Sequence, residues 1–380
     1  MLTVYDRKAD CCGCTACKSI CPTGAISMEA DHEGFLYPRI DPPLCIDCGL
    51  CRKVCAFQMG YDRSGNFDMP AVFAAKHRSD EVRRRSSSGG AFTAASDHML
   101  AKGGVVYGAA FAEGFRVVHR RAETAEGKDA FRGSKYVQSD PEGTFMGVKD
   151  DLDGGRQVLF TGTPCQCAGL RRFLETAGTD ASSLLAVDII CYGTPSYKLF
   201  KDFIAYLEES EGEKVVDFRF RSKENGWGST EAAVFEGGRV DFKSRRSQLY
   251  RKLFFSNLCL RPACYECRYT NLARPSDMTM ADFWGIEEVL PEFRDDLGVS
   301  LILVNTAKGR VACSGMLGDL VTIESSVEAC LAKQPALKAP ATMNPLRQAF
   351  WEDYGRSGFR YALDKYIGID SSAVKKPAGG

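Results

Sequence analysis

The chain has 380 residues, enough for one large domain or two ordinary ones. Its 49 Lys plus Arg balance 49 Asp plus Glu, which leaves no electrostatic footprint for nucleic acid or an anionic membrane surface. No apolar run reaches the ~18 residues of a membrane span, and the start, MLTVYDRKADCC, has neither an apolar core nor a cleavage-site pattern. The expectation is a cytoplasmic protein with no membrane span.

Seventeen cysteines in a chain without a secretory signal point to metal, because thiols stay reduced in the cytosol. Buried thiols acting as small hydrophobes would explain a scattered few. They do not explain two runs of one rhythm, Cys11-x2-Cys14-x2-Cys17-x3-Cys21-Pro22 and Cys45-x2-Cys48-x2-Cys51-x3-Cys55. This is the spacing of a two-cluster 4Fe-4S ferredoxin. Two-residue gaps let a tight loop present three thiolates to one cubane, while the fourth cysteine reaches the other cubane. The expected ligand sets are therefore Cys11, Cys14, Cys17 with Cys55, and Cys45, Cys48, Cys51 with Cys21. Cys12 is expected to bind no iron. Zinc also uses C-x2-C pairs, but normally as paired doublets. Ala56 stands where a second proline would follow the run, a position that shapes the loop exit and binds no iron. Residues 29–43, with Gly34 and Pro42-Pro43, read as a short hairpin or loop.

The polar stretch 60–70 marks a boundary: a ferredoxin-type domain over 1–60, a linker over 61–70, a large domain over 71–368 and a flexible tail over 369–380. AVFAAKH (71–77) reads as a strand. SSSGGAFTAASDHMLAKGG reads as a helix, with Ser86–Ser88 as cap candidates and Gly103-Gly104 as its stop. VVYGAAF reads as the next strand. Then VLFTG (158–162) leads through Thr163-Pro164-Cys165 into a helix, and LLAVDII (184–190) leads through Cys191-Tyr192-Gly193-Thr194-Pro195 into another. VVDFRFR (215–221) and VSLILVN (299–305) read as further strands. Apolar strands alternating with amphipathic helices predict a larger mixed α/β domain with some parallel pairing behind the small ferredoxin-like one. In such sheets ligands collect beyond the carboxyl ends of the strands, so Cys165 and Cys191 should face one crevice.

With the pair Cys264-x2-Cys267 they form a candidate third 4Fe-4S site, with Cys259 and Cys167 as alternates for a misassigned ligand. Cys313 and Cys330 read as packing thiols. Ser86–Gly90 at a helix start could hold an anion, although an ordinary serine cap has the same composition. Arg132 and the Lys135-Tyr136 pair would suit a dinucleotide or a solvated turn. Asp282 and Trp284 could line a cofactor pocket or belong to the core. Histidines 32, 77, 98 and 119 show no mutual spacing, and no catalytic residue emerges.

The motifs SSSGGAF, VVYGAAF, RGSKYVQS, FTGTPCQ, VDIICYGTPS, RPACYEC and ADFWG, spread over 71–305, together resemble the family of coenzyme F420 hydrogenase/dehydrogenase beta subunits, in which a ferredoxin module is a common N-terminal attachment. Tyr192 departs from the histidine expected after that cysteine, which puts a proton-handling role there in doubt. The resemblance implies an FAD beside the third cluster, with Ser87, Ser88, Gly89, Gly90 and Lys135 near the flavin phosphates. It also implies an oxidoreductase that passes electrons between a hydride carrier such as a deazaflavin, FAD and the clusters, with a redox partner protein or ferredoxin. Two other readings stand beside it: a non-catalytic relay docked on a partner enzyme, and a ferredoxin-driven reductase of an organic substrate.

Overall fold

The computed structural model describes residues 3–228 and 230–368; the expected tail at 369–380 lies outside the described residues. In chain order the strands are β1 (Ile26–Ala30), β2 (Leu36–Ile40), β3 (Asn66–His77), β4 (Val105–Phe111), β5 (Val117–Ala122), β6 (Val158–Gly162), β7 (Leu184–Ile189), β8 (Val215–Ser222), β9 (Thr230–Phe235), β10 (Val240–Asp241), β11 (Met278–Asp282), β12 (Ser300–Thr306) and β13 (Leu320–Ser325). β1 and β2 form an antiparallel hairpin between the two cysteine runs, with Gly34 in the left-handed region at its turn.

The large domain is built on an eight-stranded sheet of order β13-β3-β12-β11-β7-β6-β4-β5. Its centre is parallel, β4 to β6, β6 to β7 and β7 to β11, and antiparallel strands close both sides. Every residue of β12 is buried, as its unbroken apolar run requires of a strand covered on both faces. One face of the sheet carries the helices Ala91–Ala101 and Ala307–Gly315; the other carries Thr144–Asp153 and Pro164–Ala177. A second core, dense in Phe and Tyr, joins the three-stranded sheet β10-β9-β8 to the helices Tyr197–Glu211, Leu249–Phe255 and Arg347–Ile367.

Two expectations shift. The helix after the SSSGG stretch is capped by Gly90 in the left-handed region, not by a serine. The Ser86–Ser88 hydroxyls bond elsewhere: Ser86 donates to the Val82 carbonyl at 2.7 Å and Ser88 to that of Val299 at 2.8 Å. In addition β3 starts at Asn66, inside the expected linker, because Asn66 pairs with Thr306 and its side chain donates to the Arg274 carbonyl at 2.8 Å.

Glu231 on β9 is fully buried, and burial pushes its carboxyl up to about 8 although it accepts from the Arg251 amide. The native state therefore keeps a proton there that the unfolded chain releases near 4.5, and stability falls as pH rises between those two values. Glu231→Gln is expected to flatten this slope and to stabilise the protein at pH 8 by about 4 kcal/mol, read from anaerobic urea unfolding at a series of pH values.

Candidate iron-sulfur and cofactor site

The two cysteine loops repeat in backbone as well as in sequence. Gly13 and Thr15 in the first, and Asp47 and Gly49 in the second, occupy the left-handed region at corresponding positions, and each loop runs into a short helix, Ala16–Ser19 or Leu50–Lys53. Left-handed residues let each loop turn tightly between its cysteines. Thr15 and Asp47 hold this conformation without being glycine, a strain that persists only where the surroundings over-determine it.

The thiols gather in the crossed pattern. Burial raises Cys17 well above the ordinary thiol range, and Cys14, Cys11 and Cys55 add to it. Burial, then Cys14 and Cys11, push Cys55 up to about 11. Cys51 is raised by burial with Cys48 and Cys21 as its cysteine neighbours. Backbone N–H groups point at these sulfurs, from Gly13 to Cys11, from Ala16 to Cys14, from Lys18 to Cys17, from Phe57 and Gln58 to Cys55, and from Thr23, Gly24 and Ala25 to Cys21. Such donors suit thiolate ligands. Cys11, Cys12, Cys14, Cys17 and Cys55 line one small cavity, while Cys48 is exposed. The first quartet is thus the inner one and the second the outer.

Cys165, Cys191, Cys264 and Cys267 also come together. Cys165 follows β6 and Cys191 follows β7, and these are parallel neighbours. The segment before Cys264 pairs back on the Cys191 turn: Pro195 bridges Leu260, and the Arg261 amide donates to the Thr194 carbonyl at 2.9 Å. Burial raises Cys191 strongly, and Cys264, Cys165 and Cys267 act on it in that order. Burial pushes Cys267 up to about 12, with Cys165 next. The two Gly-Thr-Pro turns play matching parts: Thr163 Oγ1 lies 3.2 Å from Cys165 Sγ, and Thr194 Oγ1 lies 3.9 Å from Cys264 Sγ. The alternates face away, Cys167 donating to the Val187 carbonyl and Cys259 to that of Leu253. Cys313 and Cys330 pack in separate apolar cores. Tyr192 sits among Phe254 and Phe255 and donates to Asn257 Oδ1 at 2.7 Å. Among the described residues no three His, Cys, Asp or Glu side chains converge on a point the size of a single ion. A quartet whose members each take a different iron of a cubane is necessarily wider than that.

A buried ion pair supports this third group. Arg274 and Asp188, 1% and 0% exposed, stand 3.0 Å apart, and Arg274 also donates to the carbonyls of Tyr269 and Ile189. It ties the loop after Cys267 to the end of β7.

Cys12, expected to be a bystander, lies at the seam. Its thiol interacts with Cys14 of the inner quartet and with Cys165 of the third, and the Cys12 contact holds the Cys165 thiol below its ordinary range. Around it pack Ala56, Phe57, Ala168, Ala263 and Tyr269, drawn from both domains. Gly169 on the helix Pro164–Ala177 lets Cys14 approach: a Cβ there would stand 2.8 Å from the Cys14 sulfur. Arg261, one of the largest fully buried side chains, reaches from the large domain into the ferredoxin loop. The sequence marked Cys12 only as a bystander and Arg261 only as the first residue of the RPACYEC motif; their parts at the seam, and that of Gly169, were not legible because each acts across a contact between distant segments.

The residues expected near a flavin divide. Ser87 Oγ accepts from the Ser134 amide at 2.8 Å, so the SSSGG and RGSKY segments do meet. Gly89 is pressed on the sheet, where a Cβ would lie 2.3 Å from the Ala75 carbonyl oxygen. The Ser88 carbonyl accepts from Lys223, which also donates to those of Arg83 and Leu297 and is pushed down to about 7 by burial. Lys135 donates to the Ala130 and Arg132 carbonyls, and burial pushes it down to about 7. Asp282, at the carboxyl end of β11, accepts both guanidinium nitrogens of Arg221 at 2.7 and 2.8 Å and the Trp227 indole at 2.6 Å. Trp227 stacks on Trp284 with centroids 4.9 Å apart.

Residues 10–59 match the 4Fe-4S dicluster domain, and residues 155–327 match the family described as the C terminus of the coenzyme F420 hydrogenase/dehydrogenase beta subunit. The F subunit of the F(420)H(2) dehydrogenase of Methanosarcina mazei is 22% identical over 190 residues, 48% of this chain and 53% of that protein, so the chain spans about half the length of this curated relative. A chain of the F420-reducing [NiFe] hydrogenase complex from Methanosarcina barkeri aligns at 18% identity with a TM-score of 0.49, covering 80% of this chain and 94% of that one. Residues 155–327 are thus similar to the C terminus of coenzyme F420 hydrogenase/dehydrogenase beta subunits, and residues 10–59 to a 4Fe-4S dicluster domain.

Proposed function

We propose that the protein is an oxidoreductase component that carries electrons along three 4Fe-4S clusters. The outer would be held by Cys21, Cys45, Cys48 and Cys51, the inner by Cys11, Cys14, Cys17 and Cys55, and the third by Cys165, Cys191, Cys264 and Cys267. The observation that supports this reading is the packing of Cys14, Cys165 and Cys267 against the buried Cys12, between the proposed inner and third quartets. The fit of the cysteines to clusters rests on the matching tight turns of the two loops and the N–H groups aimed at sulfur.

The carboxyl ends of β6, β7 and β11 are where a flavin belongs in this reading. Ser87, Ser88, Gly89, Gly90 and Lys135 would border its phosphates, with the Arg221–Asp282 pair and the two tryptophans nearby. Such a group, when bound, converts a two-electron hydride transfer into the single electrons that a cluster accepts. Arg221 and Lys223 would hold the surrounding turns in place and offset negative charge. The carrier delivering hydride, a deazaflavin or similar, and a protein partner at the outer cluster complete the proposal.

Anaerobically reconstituted protein should hold about twelve irons and one flavin per chain. Cys191→Ser should remove about four of those irons and leave the ferredoxin-module signals intact. About eight irons in the unaltered protein, with no flavin, would reject the third site and the hydride chemistry together. Twelve irons without flavin would favour the relay.

A further inference from the structure

Arg261 is a fixed positive charge, 1% exposed, at the seam. Its partners are neutral oxygens and one sulfur. Nε donates to the Cys11 carbonyl at 2.8 Å, one terminal nitrogen to Gln138 Oε1 at 3.0 Å, and the other to the Leu36 carbonyl at 2.9 Å and toward Cys11 Sγ at 3.6 Å. Its guanidinium lies 4.2 Å from the Tyr37 ring centroid. Among the described residues it forms no ion pair with a carboxylate, whereas the buried Arg274 and Arg221 and the half-buried Arg347 each have one. A buried charge with only neutral partners is expensive. The sulfurs within its reach are those of Cys11 and, three positions along its own segment, Cys264, which would carry negative charge as cluster ligands. Gly13 makes the approach possible, since a Cβ there would stand 2.8 Å from the guanidinium.

Resting on the cluster assignments above, we propose that Arg261 sets the reduction potential of the inner cluster. Burial alone makes an anionic cluster harder to reduce, because the added electron raises its negative charge in a poorly solvated place. A guanidinium at a ligand sulfur opposes this, by its charge and by its hydrogen bond. The outer quartet, with Cys48 exposed, has solvent in that role. Arg261 thereby brings the buried inner cluster level with or above the outer one, and an electron entering from outside is held beside the large domain. It is a positioning and tuning residue that takes no part in bond chemistry.

The test is an anaerobic redox titration of the full-length holoprotein followed by EPR. The outer signal is the one that Cys48→Ser alters. In the unaltered protein the inner cluster should be reduced at the same potential as the outer or a higher one; an inner cluster reduced only after the outer overturns the proposal. Arg261→Gln, at unchanged iron content, should lower the inner wave by at least tenfold in its reduction equilibrium, about 59 mV for a one-electron couple, and leave the outer wave in place. An unmoved inner wave, or a shift confined to the outer, refutes it. Arg261→Lys keeps the charge and should retain most of the potential. If Arg261→Gln fails to hold iron, the order of the waves and the lysine variant decide the matter. Failure of the unaltered protein to bind iron would sink the cluster assignments instead, and the two failures are told apart by iron analysis.

Discussion

Asp188→Asn is expected to destabilise the protein by about 3–5 kcal/mol, because it leaves Arg274 charged in a site that is 1% exposed. The loss should appear as a lower urea midpoint at unchanged m-value. A local consequence should accompany it. Arg274 holds the Tyr269 carbonyl at 2.7 Å and the Ile189 carbonyl at 3.0 Å, so this side chain helps to fasten the loop after Cys267 to the end of β7. Iron bound by the third quartet should therefore fall before that of the ferredoxin module. Equal loss from all three quartets would show that the pair supports the whole fold and not this loop.

Gly169→Ala is expected to expel the inner cluster alone. The added methyl would lie 2.8 Å from Cys14 Sγ and 3.0 Å from its Cβ, closer than a Cβ can rest, and Phe145 closes the space behind at 3.5 Å. Either the helix or Cys14 must move, at about 1–3 kcal/mol for overpacking, and the loop holding Cys14 is the weaker of the two. About four irons should be lost while the helical circular dichroism is kept. Gly355→Ala, in open space on the helix Arg347–Ile367, serves as the control and should lose none.

The cysteine runs were legible because their chemistry is local: spacing alone sets which sulfurs a tight loop presents. The strand ends were legible for a similar reason. VLFTG and LLAVDII are unbroken apolar runs ending in Gly-Thr-Pro or Cys-Tyr-Gly turns, and they became neighbouring parallel strands with Cys165 and Cys191 at one edge. Serine caps are common, and Ser86–Ser88 looked like one; the sheet took the Ser88 hydroxyl and left Gly90 to start the helix. The 61–70 stretch looked like a linker from its polarity, yet Asn66 already pairs with Thr306, and only the partner strand explains that. The helix Arg347–Ile367 was not anticipated. It buries Phe350, Trp351 and Tyr354 in the second aromatic core, and a left-handed Gly358 breaks its regular pattern. Arg261 could not be recognised from its own segment, since its meaning lies in Cys11 and Leu36, far away in sequence.

The seam described above also decides what kind of carrier the ferredoxin module can be. Besides Arg261, Tyr61 donates to the Ala273 carbonyl at 2.9 Å, Arg172 to that of Lys53 at 3.2 Å, and Arg347 to Glu33 at 2.8 Å, in a hairpin whose Glu33 carbonyl also accepts from Ser196 at 2.6 Å. These contacts grip the module from several sides and leave no free tether on which it could swing. Its electrons must cross a gap of constant width, so turnover should not slow with solvent viscosity as a shuttling domain's would. In the proposed circuit the moving part would be the partner that docks at the exposed Cys48.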